Sequence, residues 1–202
     1  MKDRLFYPPL LLGLIALATS ASLVLANAAT RERIALAERR DLQDSLGQVL
    51  PPGHADNELL ADAVEIAGAD GKAVTVYRAR KGRNVTGAVF RTSARGYAGE
   101  IDVVIGVGTD GRLLGARVVR HQETPGLGDK IEVARSKWIL GFDGKSLGDP
   151  PAEKWGVKKD GGVFDQFAGA TITPRAVVRA VKEGLEFFAA HRAEILAEGG
   201  AS

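Results

Sequence analysis

Two short stretches hold the residues whose types and spacing could do chemistry. The first is Asp165-Gln166-Phe167-Ala168-Gly169-Ala170-Thr171-Ile172-Thr173-Pro174, which stands just ahead of the last long apolar-periodic segment of the chain. It offers two hydroxyls at the entrance to a helix, with no nucleophile and base side by side. The first turn of a helix leaves backbone N–H groups unpaired and carries the positive end of the dipole, so a phosphate placed there is held favourably. Gly169 and Ala170 keep bulky side chains away from such a ligand. The same residues also suit a plainer arrangement, with Thr173 as N-cap, Pro174 at the first helical position and Thr171 as a turn residue.

The second stretch is Arg120 to Glu132, RHQETPGLGDKIE. Pro125, Gly126 and Gly128 force a tightly shaped loop, in which Glu123, Thr124 and backbone amides could give a planar ligand its polar contacts. A Pro-Gly turn leading into a charged helix start explains the same residues without a ligand. His121, Glu123 and Asp129 are poorer as a metal set or an acid–base pair. His121 and Glu123 fall on one strand face, no second histidine stands at ligand spacing, and nothing nearby resembles an activated nucleophile. His54 and His191 are isolated.

The elements that must position these stretches can be read from pattern. A chain of 202 residues, 45% hydrophobic and 26% charged, suits one globular domain with a sizeable core. Net charge is +2 with both signs interspersed, which argues against a nucleic-acid partner. The absence of cysteine excludes thiolate-bound iron–sulfur clusters, c-type haem attachment and disulfides. Residues 5–29 carry no charge and are long enough to cross a bilayer core, which takes roughly 20 apolar residues. Ala26-Asn27-Ala28, behind Lys2 and Arg4, has the form of a signal-peptidase site, but the run exceeds the usual signal length and a helical pattern follows it directly. An uncleaved anchor is therefore expected. Arg31, Arg33, Arg39 and Arg40 follow the run, so charge flanks both ends and gives no orientation.

Beyond the anchor, Ile34, Leu42, Leu46, Val49 and Leu50 predict an amphipathic helix stopped by Pro51-Pro52-Gly53. Alternating strands on either side of Asp70-Gly71 and of Asp110-Gly111 predict two hairpins, with a short strand at TGAVFRTS between them. KIEVARSKWILGF reads as a short helix laying Ile131, Trp138 and Ile139 on the sheet, and Val177, Val181, Leu185 and Phe188 form one stripe of a terminal helix. Antiparallel hairpins flanked by helices make an α+β domain. The strand–helix alternation of a dinucleotide fold is missing.

Taken together, GYAGEIDVVIGVGTDGRLLGARVVRHQETPGLGDKI and GGVFDQFAGATITPRAVVRAV, behind an N-terminal span, resemble the FMN-binding domain family. That domain is shared by the G subunit of the Rnf electron-transport complex and the C subunit of the sodium-translocating NADH:quinone reductase, and the HQETPGLGDKIE context and compact length look more like the former. The resemblance implies an α+β fold and an FMN joined through its phosphate to Thr171 by a flavin transferase that reads Asp-x-x-[Ser/Thr]-Gly-Ala-Thr. Here Asp165, Gly169, Ala170 and Thr171 match that pattern, Ala168 stands where a hydroxyl is expected, and Pro174 replaces a serine. It further implies that Glu123, Thr124, Leu127, Gly128, Gly169, Ala170 and Thr173 contact the flavin, and that Lys130 offsets charge on it when reduced.

By the same resemblance, residues 1–29 are a cytoplasmic tip and transmembrane anchor, 30–52 a juxtamembrane stalk and 53–202 the FMN-binding domain, lying in the periplasm of a bacterial inner membrane. The partners implied are the bilayer, a flavin transferase during maturation and the other membrane components of an ion-pumping complex that couples ferredoxin and NAD oxidoreduction to ion movement. Such a component has no turnover of its own. Different readings remain: a counterpart of the quinone reductase's C subunit, a tethered module that binds a ligand reversibly, or a cleaved hydrolase using His121 and Glu123.

Overall fold

The computed structural model describes residues 3–68 and 71–197. Lys2, Asp70 and the side chain of Ile34 lie outside the described residues. The chain divides into two compact units, Met1–Leu42 and Gln43–Ser202.

The first unit is helical. Helix α1 runs without a break over Asp3–Gly47, and its stretch Pro9–Arg31 is long and apolar enough to cross a membrane. Its 23 residues rise roughly 35 Å, against a hydrocarbon core of about 30 Å. Leu10, Leu12, Leu17, Leu23 and Leu25 all point outward, as a lipid-facing surface requires. The hydroxyls of Thr19 and Thr30 donate to the carbonyls of Ile15 and Ala26, 2.9 and 2.8 Å away and four residues back, so neither needs water.

The second unit is built on one antiparallel sheet, β1 Ala63–Ala67, β2 Ala73–Lys81, β3 Asn84–Arg95, β4 Glu100–Gly108 and β5 Leu113–Arg120, in sequential order. Both expected hairpins are present, β1–β2 and β4–β5. The strand expected at residues 86–93 is longer at both ends, because β2 pairs with it from Asn84 to Phe90 and β4 from Gly87 to Arg95. Helix α2, Ile172–Ile195, covers one face with Val177, Val181, Leu185 and Phe188 all buried. Its Gly184 lies against Ile105, Phe90 and Thr92, and the Thr92 hydroxyl donates to the Ala180 carbonyl at 2.7 Å.

A strap crosses the opposite face. Helix α1 ends at Gly47, ahead of the expected stop at Pro51, and Leu50 sits in the turn that follows. Val49 then lies on Gly106 and Gly115, which are cross-strand partners on β4 and β5. A Cβ on Gly106 would stand 2.6 Å from the Val49 carbonyl oxygen, and one on Gly115 2.9 Å, so only glycine leaves room for the chain. Farther on, the Thr86 hydroxyl of β3 donates to the His54 carbonyl at 3.0 Å, and Asn57 bonds the backbone of Arg78 and Arg80 on β2. Leu46 and Val49 are buried, so this unit begins ahead of residue 53.

Two local expectations are corrected. Residues 130–142 do not form one helix; two 3-10 turns, Asp129–Ile131 and Lys137–Phe142, stand at the two ends of this stretch. The extended Ser136 separates them, because its hydroxyl accepts from the Trp138 amide at 3.1 Å and starts the second turn afresh. Ile131 and Ile139 are buried while Trp138 is half-buried. Helix α2 starts at Ile172, so Thr173 is not the N-cap and Pro174 is the third helical residue. Proline still suits that place, since its missing N–H would have had no helical acceptor.

Replacing Gly106 with Val should drive the strap off the sheet and destabilise the second unit by about 1–3 kcal/mol, read as a lowered thermal midpoint in detergent. Asp62 supplies a pH test. Burial alone would raise its carboxyl, but hydrogen bonds from Arg80 and Arg78, the latter 2.7 Å away, together hold it below its ordinary 3.8. A depressed carboxyl stabilises fully above its unfolded value and loses that contribution as pH falls through its folded one. The thermal midpoint of the wild type should therefore fall more steeply below pH 3.8 than that of Asp62→Asn, which should already be less stable at neutral pH.

Candidate functional site

A cavity of about 490 Å³ opens where three segments meet. The turn between β3 and β4 brings Tyr97 to it, the loop after β5 brings Glu123, Thr124, Leu127 and Gly128, and the entrance to α2 brings residues 169–173. Its volume falls within the range of small-molecule and cofactor sites.

The loop after β5 is held from within. The Thr124 carbonyl accepts from the amides of Leu127 and Gly128, at 3.2 and 3.0 Å, and Gly126 takes φ +78° in the turn between them. His121 braces the loop from behind, its Nδ1 accepting from the Glu123 amide at 3.1 Å and its Nε2 lying 2.6 Å from Glu132 Oε1. With Nδ1 as acceptor, the ring proton sits on Nε2 and is given to Glu132. His121 thus addresses a different carboxylate from the one it was paired with on sequence grounds.

Glu123 ties the three segments together. Only 4% exposed, it accepts from the Ala98 amide on Oε1 at 2.9 Å and from the Thr173 hydroxyl on Oε2. Gly128 fits beneath this bond, where an added Cβ would stand 2.8 Å from the Glu123 Cβ and 3.1 Å from the Thr173 Oγ1.

The entrance to α2 is shaped by a turn in which the Ala170 amide donates to the Phe167 carbonyl at 3.1 Å and Gly169 takes φ +80°. That left-handed position favours glycine for want of a Cβ clash. Aromatic packing fixes the turn from below. Phe167 meets Trp138 edge-on at 5.2 Å, Phe142 stacks on Phe164 at 4.4 Å, and Trp138 Nε1 donates to the Asp165 carbonyl at 2.8 Å. On the first turn of α2, Arg175 grips Asp160 through two 2.6 Å bonds, which hold that exposed carboxyl below its ordinary value.

The two threonines of the helix entrance are thereby distinguished. Thr173 is 1% exposed and its hydroxyl is committed to Glu123. Thr171, the N-cap, is half-buried, lines the cavity, and caps no amide with its hydroxyl. Ile172 and Thr173, opening the helix, bring amides for which no earlier helical carbonyl exists. A free hydroxyl, a helix N-terminus and the apolar walls of Tyr97, Leu127 and Ile172 together fit a group with a phosphate at one end and a flat ring at the other.

Of the residues singled out from sequence, all the proposed contacts except Lys130 line the cavity. Lys130 is exposed in the turn Asp129–Ile131, outside the lining. Asp165 is also exposed, paired with Lys158 at 2.6 Å, and Ala168 is exposed beside it, so neither faces the cavity. Tyr97 and Ile172 were missed. Ile172 follows Thr171 directly, whereas Tyr97 reaches the site only because β3 and β4 fold back on each other. A larger groove of about 850 Å³ lies between β2, β3 and the middle of α2. It meets the helix beyond its first turn, where the amides are already bonded, so α2 offers it no free N–H groups; the basic side chains in its lining are Lys72, Arg91 and His191.

Residues 96–186 match the FMN-binding domain family, and that span contains every segment that lines the cavity. The G subunit of the ion-translocating oxidoreductase complex of Cereibacter sphaeroides is 53% identical over 188 residues, covering 93% of this chain and 86% of the relative. The G subunit of the same complex in Stutzerimonas stutzeri is 50% identical over 186 residues, covering 92% and 82%. The chain belongs to this family, the G subunits of ion-translocating oxidoreductase complexes. Among solved structures, NqrC of Shewanella oneidensis is similar at 24% identity and a TM-score of 0.49, covering 71% of this chain and 72% of its own.

Thr173→Val keeps the shape of the side chain but leaves a buried carboxylate oxygen without its donor. It should cost about 1–3 kcal/mol, measured as a lower denaturation midpoint followed through the fluorescence of Trp138 and Trp155.

Proposed function

We propose that this chain is a membrane-anchored electron carrier of an ion-translocating oxidoreductase complex, with FMN attached covalently through its phosphate to Thr171. In the finer reading, residues 1–29 form the cytoplasmic tip and anchor, the FMN domain stands in the periplasm, and the complex couples ferredoxin and NAD oxidoreduction to ion pumping. The other membrane components of the complex are its partners, and it performs no turnover alone.

One observation carries the attachment: of the two threonines at the helix entrance, only Thr171 has an uncommitted hydroxyl, and it stands at the helix end where phosphate charge is best tolerated. Bound FMN would supply the electron-transfer chemistry. The chain's own contribution is to hold and orient. Thr171 and the amides opening α2 would hold the phosphate, and Tyr97, Leu127 and Ile172, with the loop from Glu123 to Gly128, would line the ring. Lys130, exposed and off the lining, leaves this set. A tether also relieves the pocket of the need for high affinity, because the cofactor's effective concentration is set by the bond.

A flavin transferase is the proposed partner in maturation. Asp165 and Ala168 are exposed while Gly169, Ala170 and Thr171 line the cavity, so one face of the turn is open to an enzyme before the ring is seated. Ala168 in place of a hydroxyl then bears on that encounter and not on the finished site.

The chain produced with a flavin transferase should gain the mass of one esterified FMN on the peptide containing Thr171 and fluoresce in a denaturing gel. Thr171→Ala should lose the fluorescent band entirely, and Thr171→Ser should retain it. A band that persists in Thr171→Ala would place the bond elsewhere, and a yellow colour lost on denaturing the wild type would mean reversible binding.

A further inference from the structure

We propose that Glu123 sets the electron affinity of the flavin by placing a negative charge in the cavity wall, an inference that rests on reading the cavity as an FMN site. Of the ten lining residues, Glu123 alone carries a charge. Lys158 pairs with Asp165, Arg175 with Asp160 and Arg135 with Asp129, while Lys130 is exposed outside the lining. Among the described residues no cation lies within ion-pair distance of Glu123; an amide and a hydroxyl are its donors. These disperse its charge without cancelling it. At 4% exposure the carboxylate is also poorly screened by water and salt.

A ring housed in about 490 Å³ shares that small space with the carboxylate. Taking up two electrons and one proton leaves the ring with one net negative charge, whereas two electrons and two protons leave it neutral. The electrons would come from a reduced partner of the iron–sulfur or flavin class, which is oxidised by the same number, and the protons from solvent. A fixed negative neighbour opposes the first outcome and favours protonation of the reduced ring. The carboxylate therefore lowers the midpoint potential and makes the cavity a ready donor of electrons. This is the reverse of the charge compensation that Lys130 would have given.

The test uses the full-length protein loaded by its flavin transferase, with intact mass confirming the bound flavin. Each variant is titrated spectroelectrochemically with dithionite and redox dyes at several pH values. Glu123→Gln should raise the midpoint, so that the reduced-to-oxidised ratio at the wild-type midpoint grows about tenfold or more. The break in the plot of midpoint against pH should move to lower pH. Thr173→Val keeps the charge but removes a donor that disperses it, so its midpoint should fall. Simple loosening of the cavity would move both variants the same way. An unchanged or lower midpoint in Glu123→Gln overturns the proposal. If that variant does not fold, an unchanged or raised midpoint in Thr173→Val overturns it. A wild-type chain without flavin mass would refute the FMN reading before any titration, and this inference with it; a loaded chain insensitive to Glu123 would refute this inference alone.

Discussion

The site depends on one buried carboxylate. Glu123 comes from the loop after β5, and its oxygens are held by an amide from the turn after β3 and a hydroxyl from the first turn of α2. These segments are 25 and 50 residues from it in sequence, and nothing local would bring them together. A buried carboxylate left without donors is costly, so the fold must close all three segments on it or none. That cooperativity gives the cavity a defined shape although two of its walls are loops.

The same bond assigns different work to two residues of one type. Thr173 is structural because its hydroxyl is spent on Glu123, and Thr171 is left chemically available by default. The helix start at Ile172 follows from this division. Once Thr173 is occupied inside the first turn, capping moves back to Thr171, whose backbone serves while its side chain does not.

Much of this was legible in the sequence, for physical reasons. Asp110-Gly111 marked a hairpin because glycine accepts the left-handed backbone there, and the stripe from Val177 to Phe188 marked α2 because a buried helix face must repeat every three to four residues. The loop from Glu123 to Gly128 and the turn from Gly169 to Thr171 could be nominated because proline, glycine and hydroxyls act locally. What stayed hidden was tertiary. Tyr97 was one aromatic in a turn, Ser136 gave no sign that it would split a helix, and Thr173 looked like an ordinary cap because its acceptor is 50 residues away. The strap was hidden for a related reason: Gly106 and Gly115 sit within strands, where a glycine can mean a bulge, a bend or a close neighbour, and only the structure shows Val49 above them.

That strap has a practical consequence for anyone wanting the cofactor domain free of detergent. Cutting the chain at Gly53, the boundary that the proline pair suggests, would discard Leu46 and Val49 and bare the slot over Gly106 and Gly115 on one side of the sheet. The exposed strip would be apolar and invite self-association. A cut just ahead of Gln43 removes the greasy anchor yet keeps the sheet's own cover in place.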